Sequence, residues 1–369
     1  MSMTAAQRIR AIYEGRPVDH LPRKEFYIWE EALAAWKEQG MPEDWAERNI
    51  FNFDPPGRID LGGLGWCEPP FLPAYEQKVI ESQGDYEIIQ DIAGRWLKVF
   101  TGRRHGFMPD YIRHPVSNMK DWTEDAAPRL DPDNADRWPA IEERSRKARE
   151  QAQAEGMMVC QRLIGGYMYL RAMMGPEDLL YGFHDQPDVI RAMMEGWFAL
   201  MDAALARIQA IVQLDEIFLA EDICYNAGLL ISPAMFEEFL LPYYQQLMNN
   251  ARSRQKTRIH LHIDTDGDCR PAIPLYLKAG MTAMSPFEVA SGCDVVEIGR
   301  QYPDLVMSGG IDKRVLAAGR NAIEAHLQHV MPPMVARGRY IPTCDHGVPD
   351  NVSYADYLYY RTRICEMDH

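Results

Sequence analysis

No uninterrupted apolar run in these 369 residues is long enough to cross a bilayer, and the opening stretch MSMTAAQRIRAIYEG lacks the apolar core of a secretory signal. Both absences point to a cytoplasmic protein with no membrane partner. Basic charge is also short: 39 Lys and Arg stand against 54 Asp and Glu, a formal charge of -15. A nucleic-acid partner requires a basic surface to displace counterions, so that ligand class is excluded. A small anionic substrate is not, because a local basic pocket can sit inside an acidic surface. The seven cysteines, at 67, 160, 224, 269, 293, 344 and 365, form no CxxC pair. In a reducing compartment they are expected as free thiols. No GxGxxG follows the first expected strand, which argues against a dinucleotide-binding sheet.

What is present is the composition of an ordinary globular protein, 47% hydrophobic and 25% charged. Residues 4–15 read as an amphipathic helix capped by Thr4. Residues 22–29 read as a first strand, and the Gly- and Pro-rich stretch 50–75 as a long loop in which Asp54 and Arg58 are solvated charges. Between 75 and 122, alternating segments separated by Gly84-Asp85 and Ala93-Gly94 predict an antiparallel hairpin or meander. Residues 123–155 are charged and helical. From there strands and helices alternate, with strands at 157–163, 215–220, 259–264, 282–287, 305–308 and 340–343. That rhythm gives right-handed βαβ units and a parallel sheet. The expected fold is α/β, a distorted (β/α)8 TIM barrel with an N-terminal helical segment and a β-hairpin insertion. It is one domain, 1–369, with the elaboration in 1–155 and most βα repeats in 156–369.

The stretch 258–268, Arg-Ile-His-Leu-His-Ile-Asp-Thr-Asp-Gly-Asp, is the centre of the chain's chemistry. Side chains alternate across a strand, so Ile259, Leu261 and Ile263 share one face while His260, His262 and Asp264 share the other. Such a polar face is costly to bury without partners. Active sites of barrels lie at the C-terminal ends of the strands. Those ends carry Arg162 and Tyr167, Glu221, Asp222 and Tyr225, Asp264, Glu288, Asp312 and Lys313, then Cys344, Asp345 and His346. Carboxylates crowded into one pocket need counter-charges among them. A divalent metal, Arg162, Lys313 or a cationic substrate can each supply them, and His, carboxylate and Cys together suit zinc.

At these residues the chain resembles the uroporphyrinogen decarboxylase (URO-D) superfamily, most clearly from about 160 to 365. The resemblance rests on Leu219-Ala-Glu-Asp-Ile-Cys-Tyr225, Ser232-Pro, Phe239-Leu-Leu-Pro242, the turn from His262 through Asp264 to Gly267, Ser308-Gly-Gly-Ile-Asp-Lys-Arg314, and the tail 341–352. It implies a barrel enzyme, possible as a homodimer, from a superfamily that also holds cobamide-dependent methyltransferases. The propionate-binding RQAGR motif of the decarboxylases is absent, and Tyr27-Ile-Trp-Glu-Glu stands in its region. The methyltransferases bind zinc through His-x-Cys and a distant Cys. Here His262 and Cys344 match, with Asp264 in the middle position. No corrinoid-binding DxHxxG motif occurs, so cobalamin is expected free or on a partner protein. The expected function is methyl transfer between a small substrate and a corrinoid. The alternatives are a decarboxylase or lyase acting on a small acid, and a binding protein that has lost its chemistry. The expected site has His262, Asp264 and Cys344 as metal ligands. Glu221, Glu288 and His346 are expected as catalytic groups, and Arg162, Asp222, Tyr225, His260, Asp312 and Lys313 as substrate contacts.

Overall fold

The computed structural model describes residues 2–102 and 109–369. The helix Ala5–Glu14 opens on a capping box, in which Thr4 Oγ1 accepts from the Gln7 N–H at 3.2 Å and the Gln7 side chain accepts from the Thr4 N–H at 2.9 Å. Residues 22–29 form no strand; Ile28 makes one isolated parallel bridge with Val348. The first strand is instead β1 (Arg58–Asp60), inside the stretch expected to be loop. Three residues are too few to show an alternation, so sequence pattern could not reveal it.

Next comes a four-stranded antiparallel sheet of β2 (Lys78–Gln83), β3 (Tyr86–Gln90), β4 (Trp96–Phe100) and β5 (Asp110–Arg113), the expected meander. Arg95 ties it to the body through Glu68 at 2.8 Å. After the helix Trp138–Glu155 the repeats begin with β6 (Met158–Ile164) and β7 (Glu216–Ala220). A small hairpin follows, β8 (Cys224–Tyr225) with β9 (Gly228–Leu229). The repeats resume with β10 (His260–Asp264), β11 (Ala283–Ser285), β12 (Val306–Ser308) and β13 (Tyr340–Ile341). One parallel sheet runs β1-β6-β7-β10-β11-β12-β13, curled into a distorted barrel with helices outside it.

Register explains how a polar interior survives. His262 pairs with Phe218 and Ala283, and Arg162 with Phe218, so alternate residues of neighbouring strands point to the same side. Ile217, Leu219, Ile259, Leu261 and Ile263 face the helices and are fully buried. Burial of each such side chain stabilises by roughly 1.5–3 kcal/mol, enough to fix the register and force the polar partners inward. No described helix is long and apolar enough to cross a membrane.

Candidate active site

The inward face of β10 meets the inward faces of its neighbours, and the polar groups there satisfy one another. Glu216, on β7, is fully buried. It accepts from Arg58 Nη1 at 2.7 Å and from the Tyr13 hydroxyl, which the N-terminal helix brings into the barrel. Burial pushes the Glu216 carboxyl up, but the Arg58 guanidinium and then the His262 imidazole outweigh it and hold the group ionised. Arg58 is therefore a buried partner on β1, not the solvated loop charge that the sequence suggests. Asp54 likewise pairs with Arg8 at 2.9 Å.

From Glu216 a chain of hydrogen bonds runs toward the mouth. The Tyr13 oxygen lies 3.2 Å from His262 Nδ1, His262 Nε2 lies 3.0 Å from Ser285 Oγ, and Ser285 Oγ lies 2.6 Å from Asp264 Oδ1. Counting protons restricts this chain to two states. The Tyr13 hydrogen goes to Glu216, so the contact with His262 requires a proton on Nδ1. If His262 is neutral, Nε2 accepts from Ser285 and Asp264 must carry the proton that bonds Ser285. If Asp264 is ionised, Ser285 donates to it and His262 must be doubly protonated. One proton is thus shared between Asp264 and His262 through Ser285. Burial draws His262 below its ordinary range, and burial drives the Asp264 carboxyl up to about 7, with Asp266 and Asp222 adding to the rise. Below about pH 7 these two shifts favour the state with the proton on Asp264; above it, Ser285 donates to the ionised carboxylate.

Asp264 opens on a cavity of about 650 Å³ at the C-terminal end of the sheet. Its aromatic lining is Phe26, Tyr27, Trp29, Trp66 and Phe218; its charged lining includes Lys24, Arg58, Asp60, Arg162, Asp222 and Asp266. Arg162 reaches Asp60 at 3.3 Å and lies over the Trp66 ring, 4.8 Å from its centre. Asp222, held at φ 45, faces Arg171 at 3.7 Å. His346 faces Asp266 at 3.5 Å, and that carboxylate raises its pKa above the ordinary histidine range.

Of the residues expected from sequence, Arg162, Asp222, His262, Asp264 and His346 meet in this cavity. The others are placed elsewhere. Glu221 faces the helices, where it accepts from the Tyr244 hydroxyl and from the Tyr167 N–H at 3.0 Å; burial drives it up to about 7. Glu288 accepts from the Gly267 N–H at 2.9 Å and faces Lys313 at 3.7 Å, so these two bind each other beside the cavity. Asp312 caps the helix Lys313–Ala317 and holds Arg314. Tyr225 is 47% exposed on the small hairpin. His260 packs edge-on against the Tyr13 ring and bonds Thr282, one turn of strand below His262, and burial draws it down to about 4.

Cys344 does not join His262 and Asp264. Its thiol is fully buried, 3.8 Å from the Tyr360 hydroxyl on the helix Tyr354–Met367, and burial pushes its pKa well up. Among the described residues no three His, Cys, Asp or Glu side chains are grouped to hold a metal ion. The expected zinc set therefore does not fit: a tetrahedral site needs ligands converging at about 2.0–2.3 Å. Asp266 lies in the Asp-rich turn that the sequence singles out, whereas Lys24, Asp60, Ser285, Glu216 and Tyr13 were not singled out by sequence. Glu216 alone carried a usable signal, since β7 alternates and places it on the inward face with Phe218.

A model of the uroporphyrinogen decarboxylase family matches residues 103–358. The chain is 26% identical over 177 residues to the uroporphyrinogen decarboxylase of Trichlorobacter lovleyi, covering 46% of this chain and 48% of that protein. It is 25% identical over 173 residues to that of Geobacter metallireducens, 44% of each. The chain spans about half the length of these curated relatives in the matches. Among solved structures, the methyltransferase from Methanosarcina mazei is similar over 99% of both chains with a TM-score of 0.62, at 13% identity. That likeness is one of fold.

Proposed function

Because this chain belongs to the uroporphyrinogen decarboxylase family, we propose that it is a methyltransferase of that family, moving a methyl group between a small substrate and a corrinoid. The observation that carries the reading is the buried Asp264 carboxyl on the wall of a cavity of about 650 Å³, raised by burial to about 7 and bonded to Ser285. A methyl group on oxygen, nitrogen or sulfur leaves its heteroatom slowly unless that atom receives a proton. In this reading the methyl carbon passes to the acceptor, and the electron pair of the broken bond stays on the heteroatom. The Asp264 proton goes to that heteroatom. Ser285 and His262 then orient the Asp264 carboxylate while it regains a proton. Phe218, Trp66 and Phe26 exclude water from the reacting atoms. The corrinoid, free or on a partner protein, is the second substrate and approaches from the mouth, where Tyr27 and Trp29 are 47% and 43% exposed. No step passes through zinc.

The test uses purified protein with a reduced cobalamin, a corrinoid protein and a panel of methyl ethers, amines and thioethers. A change in the cobalt absorption spectrum, slowed about 100-fold or more in Asp264→Asn, is the expected result. A spectrum that never changes overturns it. The second reading, decarboxylation of a small acid, is favoured by Lys24, Arg58 and Arg162 on the same cavity wall and by the names of the curated relatives. There Asp264 would protonate the carbon that CO2 leaves, and CO2 release without any corrinoid distinguishes it.

A further inference from the structure

Among the described residues, each Asp, Arg, His and Lys side chain that lines the cavity is held by a hydrogen bond or an ion pair, with Lys24 the exception. Arg58 is held by Glu216 at 2.7 Å, Arg162 by Asp60 at 3.3 Å, Asp222 by Arg171 at 3.7 Å and Asp266 by His346 at 3.5 Å. Asp264 bonds Ser285. Lys24 lines the same cavity, and among the described residues no hydrogen bond or ion pair holds its ammonium group.

Lys24 is nonetheless rigidly placed. The Arg361 guanidinium donates to its carbonyl at 3.2 Å. On one side Arg23 is tied to Asp368 at 2.7 Å; on the other Glu25 accepts from the Cys344 N–H at 2.7 Å and the Tyr357 hydroxyl at 3.1 Å. With its own carbonyl held and the side chains on both sides tied down, the Lys24 side chain keeps its place on the cavity. Burial, and then the neighbouring Arg58, draw the ammonium down to about 8. A partly buried cation that feels Glu216, Glu25 and Asp264 only at a distance, with no hydrogen bond or ion pair of its own among the described residues, gains when an anion arrives.

We infer that Lys24 anchors an anionic group of the substrate, so that the cavity takes a small organic acid whose carboxylate sits on Lys24 and whose body lies against the aromatic wall. This names the substrate class for the proposed reaction and rests on that reading only for what happens after binding. The ammonium and carboxylate form a charge-assisted hydrogen bond out of bulk water, which is stronger than the same pair on a surface. Arg58 and Arg162 are already engaged, so neither replaces Lys24.

The experiment compares binding of acetate, benzoate and cyclohexanecarboxylate with binding of their uncharged amides, by calorimetry on the full chain at pH 7. At least one acid is expected to bind about ten-fold or more tighter than its amide, and Lys24→Met to abolish that preference with amide binding unchanged. Lys24→Arg should keep part of it. If no acid outbinds its amide, or if Lys24→Met binds acids as the unaltered protein does, the inference falls. Thermal melting checks that Lys24→Met folds. Should it not, acylation of Lys24 in the unaltered protein, read by peptide mass spectrometry, replaces it: the tightest-binding acid should protect Lys24 and its amide should not, and equal protection overturns the inference. Binding is read without turnover. A protein that prefers acids yet never alters a cobalt spectrum keeps the Lys24 anchor and loses methyl transfer, and the converse result does the reverse.

Discussion

At the residue scale, the proposed site turns on one proton shared between Asp264 and His262 through Ser285. Asp264 has its carboxyl raised to about 7, chiefly by burial. A general acid works only while protonated, so kcat/KM is expected to be level below pH 7 and to fall about ten-fold per unit above it. A rate that rises through that range would remove Asp264 from the acid role. Tyr13 sets the far end of the chain: with its hydrogen on Glu216, its oxygen, 3.2 Å from His262 Nδ1, favours a proton on that nitrogen. In Tyr13→Phe, His262 either shifts its proton to Nε2 or pairs directly with Glu216, now 3.6 Å away, and becomes cationic. Both changes favour ionised Asp264, so the alkaline limb should move to lower pH. The lost hydrogen bond costs about 1 kcal/mol of stability. A pH profile identical to that of the unaltered protein would show that Tyr13 only fills space.

At the scale of elements, the short strands do the positioning and depend on close packing behind them. Gly165, just after β6, has no room for a side chain: a Cβ there would lie 2.4 Å from the Glu221 carboxyl carbon and 2.7 Å from the Ala220 carbonyl. Gly165→Ala is therefore expected to destabilise by about 1–3 kcal/mol, seen as a lowered melting temperature, while Glu221 is pushed from Tyr244. A melting temperature unchanged by the substitution would mean that the wall yields. The same crowding gives Glu221 a role in holding β7 against the helices. From sequence, β10 was readable because five residues of strict alternation declare both faces. β1, three residues long in a Gly- and Pro-rich stretch, declares neither, and Lys24 and Arg58 went unrecognised with it.

At the scale of the whole molecule, the N-terminal third completes the barrel. β1 pairs with β6 from Arg58↔Met158 to Asp60↔Cys160, Ile28 bridges Val348, and Tyr13 and Arg58 both bind Glu216. We propose on these contacts that the boundary near residue 155 separates elements, not folding units. Residues 156–369 expressed alone lose the partners of a fully buried Glu216, an unpaired buried charge that costs about 3–5 kcal/mol. They are expected to show no cooperative thermal transition and no fixed aromatic signal in near-ultraviolet circular dichroism. A sharp transition would make the second part a domain in its own right.

The order of strands and helices from β6 onward, the antiparallel appendage and the polar face of β10 follow from sequence, because periodicity is a local property and alternating residues must take opposite faces. So does the family, whose motifs survive as short strings around strand ends. Which strand-end residues share a cavity is a different matter. His262 and Asp264 face inward, whereas Glu221 and Cys344, also at strand ends, face the helices. Whether the last residue of a strand turns in or out depends on one step of register and on the side chain packed behind it. The same is true of Lys24: its separation of 240 residues from Asp264 has no sequence signature. Only closure of the sheet brings its unpaired charge to the acid's cavity.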